Sequence, residues 1–493
     1  MKLVNTYQNL PEQLYRQTLP TTVKNPNLLV FNNKLAKSLN MDVCNEETLA
    51  NWFSGNTLID GSEPIAQAYA GHQFGQLNIL GDGRAVLLGE AKNQAGELID
   101  VQLKGSGITP FSRSGDGKAS MSAMLREYLI SEAMHALKIP TTRSLAVVTT
   151  GENIIRQGLE QQAILTRTAA SHIRVGTFVY AQLQASQIND DNLLQLLFDY
   201  SINRHYPHLK SLNTPDKALA LLEVVMDKQA QLIAHWHRVG FIHGVLNTDN
   251  VAISGEGIDY GPCAFMDTYN PQTVYSSIDY QGRYAFKNQM PITWWNMARF
   301  AESLLPLIDN DEKKAIELAT NTINTFDEKY KKHWYGMLCA KIGLNNTDKN
   351  LALAKALLEL MQTYELDYTN SFKQLTLMAM GVDFSDIETS EFNKITDTEA
   401  LNTWMNDWKQ AQKNGNKTNA LTLMQTHNPL FIPRNHLVEN TLQQANSEGL
   451  TEFKALLKTL KTPYDWRLYK KTTRFQQPAT QEWNAQFKTF CGT

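Results

Sequence analysis

The chain is 493 residues long, 42% hydrophobic and 19% charged, with a formal net charge of -3 at neutral pH. That length exceeds one ordinary domain and calls for two or three units around a substantial core. The near-balanced charge and the lack of a long basic run argue against nucleic-acid binding, which needs clustered Lys and Arg to neutralise phosphates.

The opening stretch MKLVNTYQNLPEQLYRQTLP has no apolar segment long enough for a signal peptide, and acidic Glu12 with a single early Arg does not suit a transit peptide. No window approaches the roughly 18 consecutive apolar residues of a membrane span. The expected location is the cytoplasm, with no membrane partner and a monomer as the default. Residues 1–75, punctuated by Pro and Asn as in VKNPNLLVFNN, read as an extension packed on the core rather than a free domain. Strand-like apolar runs follow at 85–90 (AVLLGE), 98–105 (LIDVQLKG), 144–151 (SLAVVTTG) and 163–169 (AILTRTA), and the turn KNQAG makes a hairpin of the first two. Between the second and third runs, SAMLREYLISEAMHAL (122–137) places Met124, Leu125, Tyr128, Leu129, Ala133 and Leu137 near helical spacing.

From about residue 180 the chain turns helical. The clearest helix, TPDKALALLEVVMDKQAQLIAHWHRVG, begins at 214 with Thr214 as expected N-cap, Pro215 at the first helical position and Gly240 as C-cap. NMARFAESLLPLI (296–308) reads as another core helix, and from about 390 the chain is rich in Asn, Gln, Lys and Thr with helical patches. Strands, one helix, more strands and then helices are the layout of a protein kinase. The expected fold is therefore α+β and kinase-like bilobal: an extension over 1–75, a β-rich lobe over 76–180, a helical lobe over 181–390, and a helical C-terminal extension over 391–493.

Directly after the long helix comes HGVLNTDN (243–250). The kinase catalytic loop reads H-R-D-L-x-x-x-N, its Asp accepting the substrate proton and its Asn holding magnesium; small-molecule kinases of the same superfamily tend to have Gly second. His243, Gly244, Leu246 and Asn250 fit that frame, but Val245 stands where the proton acceptor belongs. Nine residues on, Asp259-Tyr260-Gly261 occupies the place of the kinase D-F-G, at a shorter spacing than usual. Asn250 and Asp259 together supply two hard oxygens, which suit a magnesium ion completed by phosphates and water. Lys104 closes the second strand as the phosphate-contacting lysine does, and Glu127 in the following helix is its natural ion-pair partner. Glycines in LGDGRAVLLGE (80–90) and KGSGITPFSRSGDGKAS (104–120) bring backbone N–H groups beside Arg84, Lys104, Arg113 and Lys118, but the Walker A frame fails because Ala119 follows Lys118. Arg167 and Arg174 add more positive charge than a kinase small lobe needs.

Long ordered blocks, among them YAGHQFGQLNILGDGRAVLLGE, DVQLKGSGITPFSRSGDGKASMSAMLREYLISEAM, SHIRVGTF, GFIHGVLNTDNVAISGEGIDYGP and IDYQGRYAFKNQ, resemble the selenoprotein O (SelO) family of protein adenylyltransferases. These are pseudokinases that move AMP from ATP to protein hydroxyls. The resemblance implies ATP bound in an orientation flipped relative to kinases, presenting the α-phosphate. It implies that Lys104, paired with Glu127, contacts phosphates and that Arg84, Arg167 and Arg174 hold the inverted tail. Gly81, Gly83, Asp116 and Gly117 would complete the nucleotide pocket. Asn250 and Asp259 would ligate Mg2+ or Mn2+, Asp259 also touching ATP, and Asp249 would be the proton acceptor. Ser, Thr or Tyr side chains of proteins would be the acceptors.

Four cysteines, Cys44, Cys263, Cys339 and Cys491, are too few for a disulfide scaffold and contain no zinc-type pair. The relatives that carry selenocysteine near the C-terminus suggest a reversible Cys263–Cys491 disulfide here, with two unrelated thiols as the alternative. Two other functional readings stand beside adenylyl transfer: γ-phosphoryl transfer of the ordinary kinase type, opposed by Val245, and a silent ATP-binding scaffold.

Overall fold

The computed structural model describes residues 2–490 apart from 43, 157, 191, 383–389, 414–416 and 472. The strands are β1 (Leu3–Val4), β2 (Tyr15–Gln17), β3 (Asn27–Phe31), β4 (Ile65–Gln73), β5 (Gln76–Gly81), β6 (Ala85–Lys92), β7 (Leu98–Lys104), β8 (Arg143–Ile155) and β9 (Leu159–Ala169). They form one antiparallel sheet in the order β2-β4-β6-β7-β9-β8-β3, with β1 on β6 and β5 on β4. All four expected runs are strands, and the KNQAG turn joins β6 to β7 as read. The first 75 residues do more than wrap: they contribute β1 to β4. Of these, β1 to β3 are only two to five residues long and give no periodic signal, so long-range pairing defines them.

The central strands are buried on both faces, as the runs of buried residues along β6 and β7 show. One face packs on short helices α1 (Asn33–Ser38) and α2 (Glu46–Ser54), where Leu35, Leu49 and Phe53 meet Leu88, Val101, Leu103 and Ile164. The other carries α3 (Met121–Ala136), which inserts Met124, Leu125, Tyr128 and Leu129 into the main core. Ser120 caps α3, its side chain accepting from the Ala123 N–H.

After β9 the described chain is mainly helical: α4 (Val175–Ile188), α5 (Asn192–His205), α6 (Thr214–Val239) and, after the loops of the site, α7 (Gln289–Ile308). Helix α6 starts where expected, but its N-cap is Asn213, whose Oδ1 accepts from the Asp216 N–H at 3.0 Å; Thr214 is already helical and Pro215 falls in the first turn. Both residue types cap well, so composition alone could not separate neighbours. Gly240 ends the helix in the left-handed region, φ 72°, as expected. The next residues, Phe241–Ile242, pair with Ala264–Phe265 in a two-stranded ribbon that brackets the HGVLNTDN loop and the Asp259 segment. Among the described residues no helix is long and apolar enough to cross a membrane.

Candidate active site

The sheet and helices α3, α4 and α6 converge on a cleft of about 660 Å3. Twelve predicted site residues line it: Gly81, Gly83, Arg84, Lys104, Asp116, Gly117, Glu127, Arg167, Arg174, Asp249, Asn250 and Asp259. A wider groove of about 900 Å3, between helices Asp348–Thr363 and Thr398–Lys413, contains none of them.

At the floor, Lys104 at the end of β7 donates to Glu127 Oε2 on α3 at 2.6 Å and to Asp259 Oδ1 at 2.5 Å. Arg167 on β9 reaches Asp259 Oδ1 at 2.6 Å and Glu127 Oε1 at 3.3 Å, and its Nε is held by Gln102 Oε1 at 2.7 Å. Arg174, at the head of α4, donates to Asp259 Oδ2 at 3.2 Å and to the Asp249 carbonyl at 2.8 Å. Three cations thus converge on one carboxylate. Burial opposes ionisation of Asp259, but Lys104, Arg167 and Arg174 outweigh it and hold the group well below the usual carboxylate range. Its backbone sits at φ 62°, an uncommon left-handed conformation that the surrounding ion pairs keep in place.

Asp249 stands beside this cluster in a short 3-10 turn, the Arg174 Nη1 joining its carbonyl to Asp259 Oδ2. Its Oδ1 is buried without a hydrogen-bond partner, and burial raises its pKa from 3.8 to about 6. A Cβ at Gly71 on β4 would lie 2.5 Å from that oxygen, so only glycine lets the strand pass so close. Asn250 anchors its amide nitrogen on the Val245 carbonyl at 2.8 Å, and among the described residues no hydrogen bond reaches its Oδ1. His243 is structural: its backbone N–H donates to Gln289 Oε1 at 3.0 Å and its Nε2 bonds the Ile258 carbonyl at 2.8 Å, tying the catalytic loop to the Asp259 loop.

The glycine loops close the other end. Gly117 has φ 67° and faces the Gly107 carbonyl, where no side chain fits. Asp116 is bound by Arg156 at 2.9 and 3.1 Å, which lowers its pKa, and Lys118 pairs with Glu152 at 3.0 Å. Arg156 escaped the sequence reading, as did the residues that seat Arg174. Tyr69 places its ring 4.4 Å from that guanidinium, and Asp82 lies 3.8 Å away. Asp82 is itself held by the Gln67 N–H and by Gln102. Polar Gln102 between apolar Val101 and Leu103 gives a local signal.

The sequence profile described as protein adenylyltransferase SelO matches residues 1–461. The chain belongs to that family. Protein nucleotidyltransferase YdiU of Clostridium perfringens (strain SM101 / Type A) is 48% identical over 496 residues, covering 100% of this chain and 97% of the relative. Protein nucleotidyltransferase YdiU of Alcanivorax borkumensis is 50% identical over 494 residues, covering 99% and 98%. That of Bacillus cytotoxicus is 50% identical over 500 residues, covering 99% and 97%. In this member of the SelO family, Cys263 is buried, its thiol pushed up to about 12 by burial and bonded to the Tyr260 carbonyl at 3.1 Å. Cys491 lies outside the described residues. Two residues before it, Thr489 donates to the carbonyl of Pro262, next to Cys263, at 2.8 Å.

Proposed function

We propose that the chain is an ATP-dependent protein adenylyltransferase that joins AMP to Ser, Thr or Tyr hydroxyls and releases pyrophosphate. Family membership supports the reaction class. The observation that carries the residue assignment is the placing of Asp249, a buried carboxylate whose Oδ1 has no hydrogen-bond partner among the described residues and whose pKa burial raises to about 6, beside the cations of the same cleft. A general base works best with a pKa close to the working pH. Val245, where a kinase keeps its base, is apolar and 8% exposed.

The acceptor oxygen attacks the α-phosphorus, its proton passes to Asp249, and the bond from the α-phosphorus to the bridging oxygen breaks. The electron pair leaves on pyrophosphate. Lys104, Arg167 and Arg174, with Arg84 on the glycine loop, hold the phosphates so that the leaving group is the buried one, the reverse of a kinase. Phosphoryl chemistry is chiefly positioning and charge stabilisation, so additional buried arginines matter more than a base at position 245.

Asn250 and Asp259 would hold the divalent cation, Mg2+ or Mn2+. Two oxygen donors suit an ion that takes its other ligands from phosphates and water, and the described residues contain no cluster of three or more His, Cys, Asp or Glu that would hold a metal alone. When bound, the cation neutralises charge on the phosphates. In apo protein the cations around Asp259 play that part in reverse, balancing its carboxylate until nucleotide arrives.

The same reading takes residues 76–180 as the β-rich lobe and 181–390 as the helical lobe of a kinase-like bilobal fold, flanked by extensions 1–75 and 391–493. It takes the protein as a cytoplasmic monomer and keeps a Cys263–Cys491 disulfide as a proposed thiol-sensitive link. The deciding experiment is transfer from ATP labelled at the α- or γ-phosphate to protein acceptors, with magnesium or manganese. Label from the α-position alone, lost in Asp259→Ala, is expected; label from the γ-position alone overturns the flipped orientation.

A further inference from the structure

The cleft has a mouth whose outer wall lacks a partner among the described residues. In the β4–β5 hairpin, His72 pairs with Leu77 and Ala70 with Ile79. Alternation along a strand sends successive side chains to opposite faces. Tyr69 and Leu80 accordingly line the cleft. Leu77 and Ile79, on the other face, are 46% and 52% exposed. At the turn, Phe74 adopts φ 52° and meets the Tyr284 ring edge-on at 5.3 Å. The Tyr284 hydroxyl donates to Asn247 Oδ1, two residues before Asp249. The hairpin turn is therefore linked through Tyr284 to the loop that carries the proposed base.

Arg283 lies against the same turn. Its guanidinium is 5.0 Å from the Trp295 ring and 5.9 Å from that of Tyr284, and it lies beside Gly75, where a Cβ would fall 3.7 Å from Nη2, at ordinary contact distance. Its Nε is buried with no hydrogen-bond partner. Asp279 directs its two oxygens to the backbone N–H groups of Arg283 and Tyr284, at 2.9 and 2.8 Å, rather than to the guanidinium. On the far side of Trp295, Arg299 already has Glu302 at 2.5 Å. No carboxylate among the described residues forms an ion pair with Arg283. A half-buried cation without a counter-charge, beside exposed aliphatic side chains, is complementary to an acidic and apolar segment.

We propose that the acceptor protein docks here as an extended segment: an acidic residue near the receiving hydroxyl meets Arg283, and an apolar residue covers Phe74 and Leu77. The proposal rests on the adenylyl-transfer reading and adds a substrate class to it. Arg283 is a specificity residue, remote from the nucleotide.

The test uses the full-length protein, ATP labelled at the α-phosphate, and peptides with one central Ser whose flanking positions are scanned with Glu, Ala and Lys. The wild type is expected to modify the best Glu-flanked peptide about tenfold more efficiently than its Lys counterpart. Arg283→Met keeps the apolar stem over Trp295 and is expected to bring the two within about twofold, with ATP affinity unchanged. Leu77→Asp, at an exposed position, is expected to raise KM for peptides with an apolar flank and leave kcat unaltered; it carries the test if Arg283→Met misfolds. Label transferred equally to Glu and Lys peptides, or a Glu preference that survives in Arg283→Met, overturns docking at this site while leaving adenylyl transfer intact. No α-label on any peptide or protein overturns both.

Discussion

Replacing Asp249 by Asn should cost the protein its activity and make it more stable. In the folded chain, burial raises the Asp249 pKa from 3.8 to about 6. At about 1.4 kcal/mol per pH unit, keeping the group ionised at neutral pH costs the fold about 3 kcal/mol. The direction follows from proton binding: the folded carboxyl holds its proton more tightly than the unfolded one, so the penalty is absent below about pH 4 and complete above about pH 6. An uncharged Asn of the same shape escapes it. With an unfolding entropy near 2 cal/mol/K per residue over 493 residues, about 3 kcal/mol corresponds to a rise of about 3 °C in Tm. Thermal unfolding of nucleotide-free wild type and Asp249→Asn at pH 7.5, 6 and 5 should show the gap shrinking as pH falls, with about half left at pH 5. The variant should transfer no α-label, and the wild-type rate should climb through about pH 6. An Asn variant of equal or lower Tm at pH 7.5, or one that still transfers AMP, would refute the assignment of Asp249 as a buried base.

Asp259→Asn should do the opposite to stability, because Lys104, Arg167 and Arg174 lose their shared counter-ion. Breaking a buried ion pair costs about 3–5 kcal/mol, and differential scanning calorimetry should show a loss of that order that added ATP partly restores. Gly71→Ala sets a methyl 2.5 Å from Asp249 Oδ1; forced overpacking of about 1–3 kcal/mol should appear as a kcat some 10- to 100-fold lower with little change in nucleotide affinity. Asn213→Ala should remove the α6 cap, costing about 1 kcal/mol in urea unfolding, whereas Thr214→Ala should cost less.

The residues that meet in the candidate cleft could be picked out because they carry their chemistry in local order. The H-G-x-L-x-x-x-N frame, the Asp-Tyr-Gly step and a lysine closing a strand before a glutamate-bearing helix each lie within one short stretch. What escaped was what holds those residues in place. Arg174 is oriented by Tyr69 and Asp82, a hundred residues away in sequence and joined to it only through the sheet. Asp116 gave no hint of Arg156, because their meeting depends on where β8 ends relative to a glycine loop. The four mid-chain strands showed themselves by continuous apolar runs, whereas β1, β2 and β3 owe their existence to partners that no local pattern announces.

The strand order has a temporal side. Both ends of the order, β2 and β3, come from the first 31 residues, and their partners β4 and β8 are made later, as is β6, the partner of β1. During synthesis β3 must wait for its partner until residues 146–149 of β8 have emerged to meet residues 27–31. Non-local strand pairing of this kind slows folding and leaves edges open to other chains meanwhile. Until β8 is made, β3 is the stretch of this sheet most open to pairing with another chain.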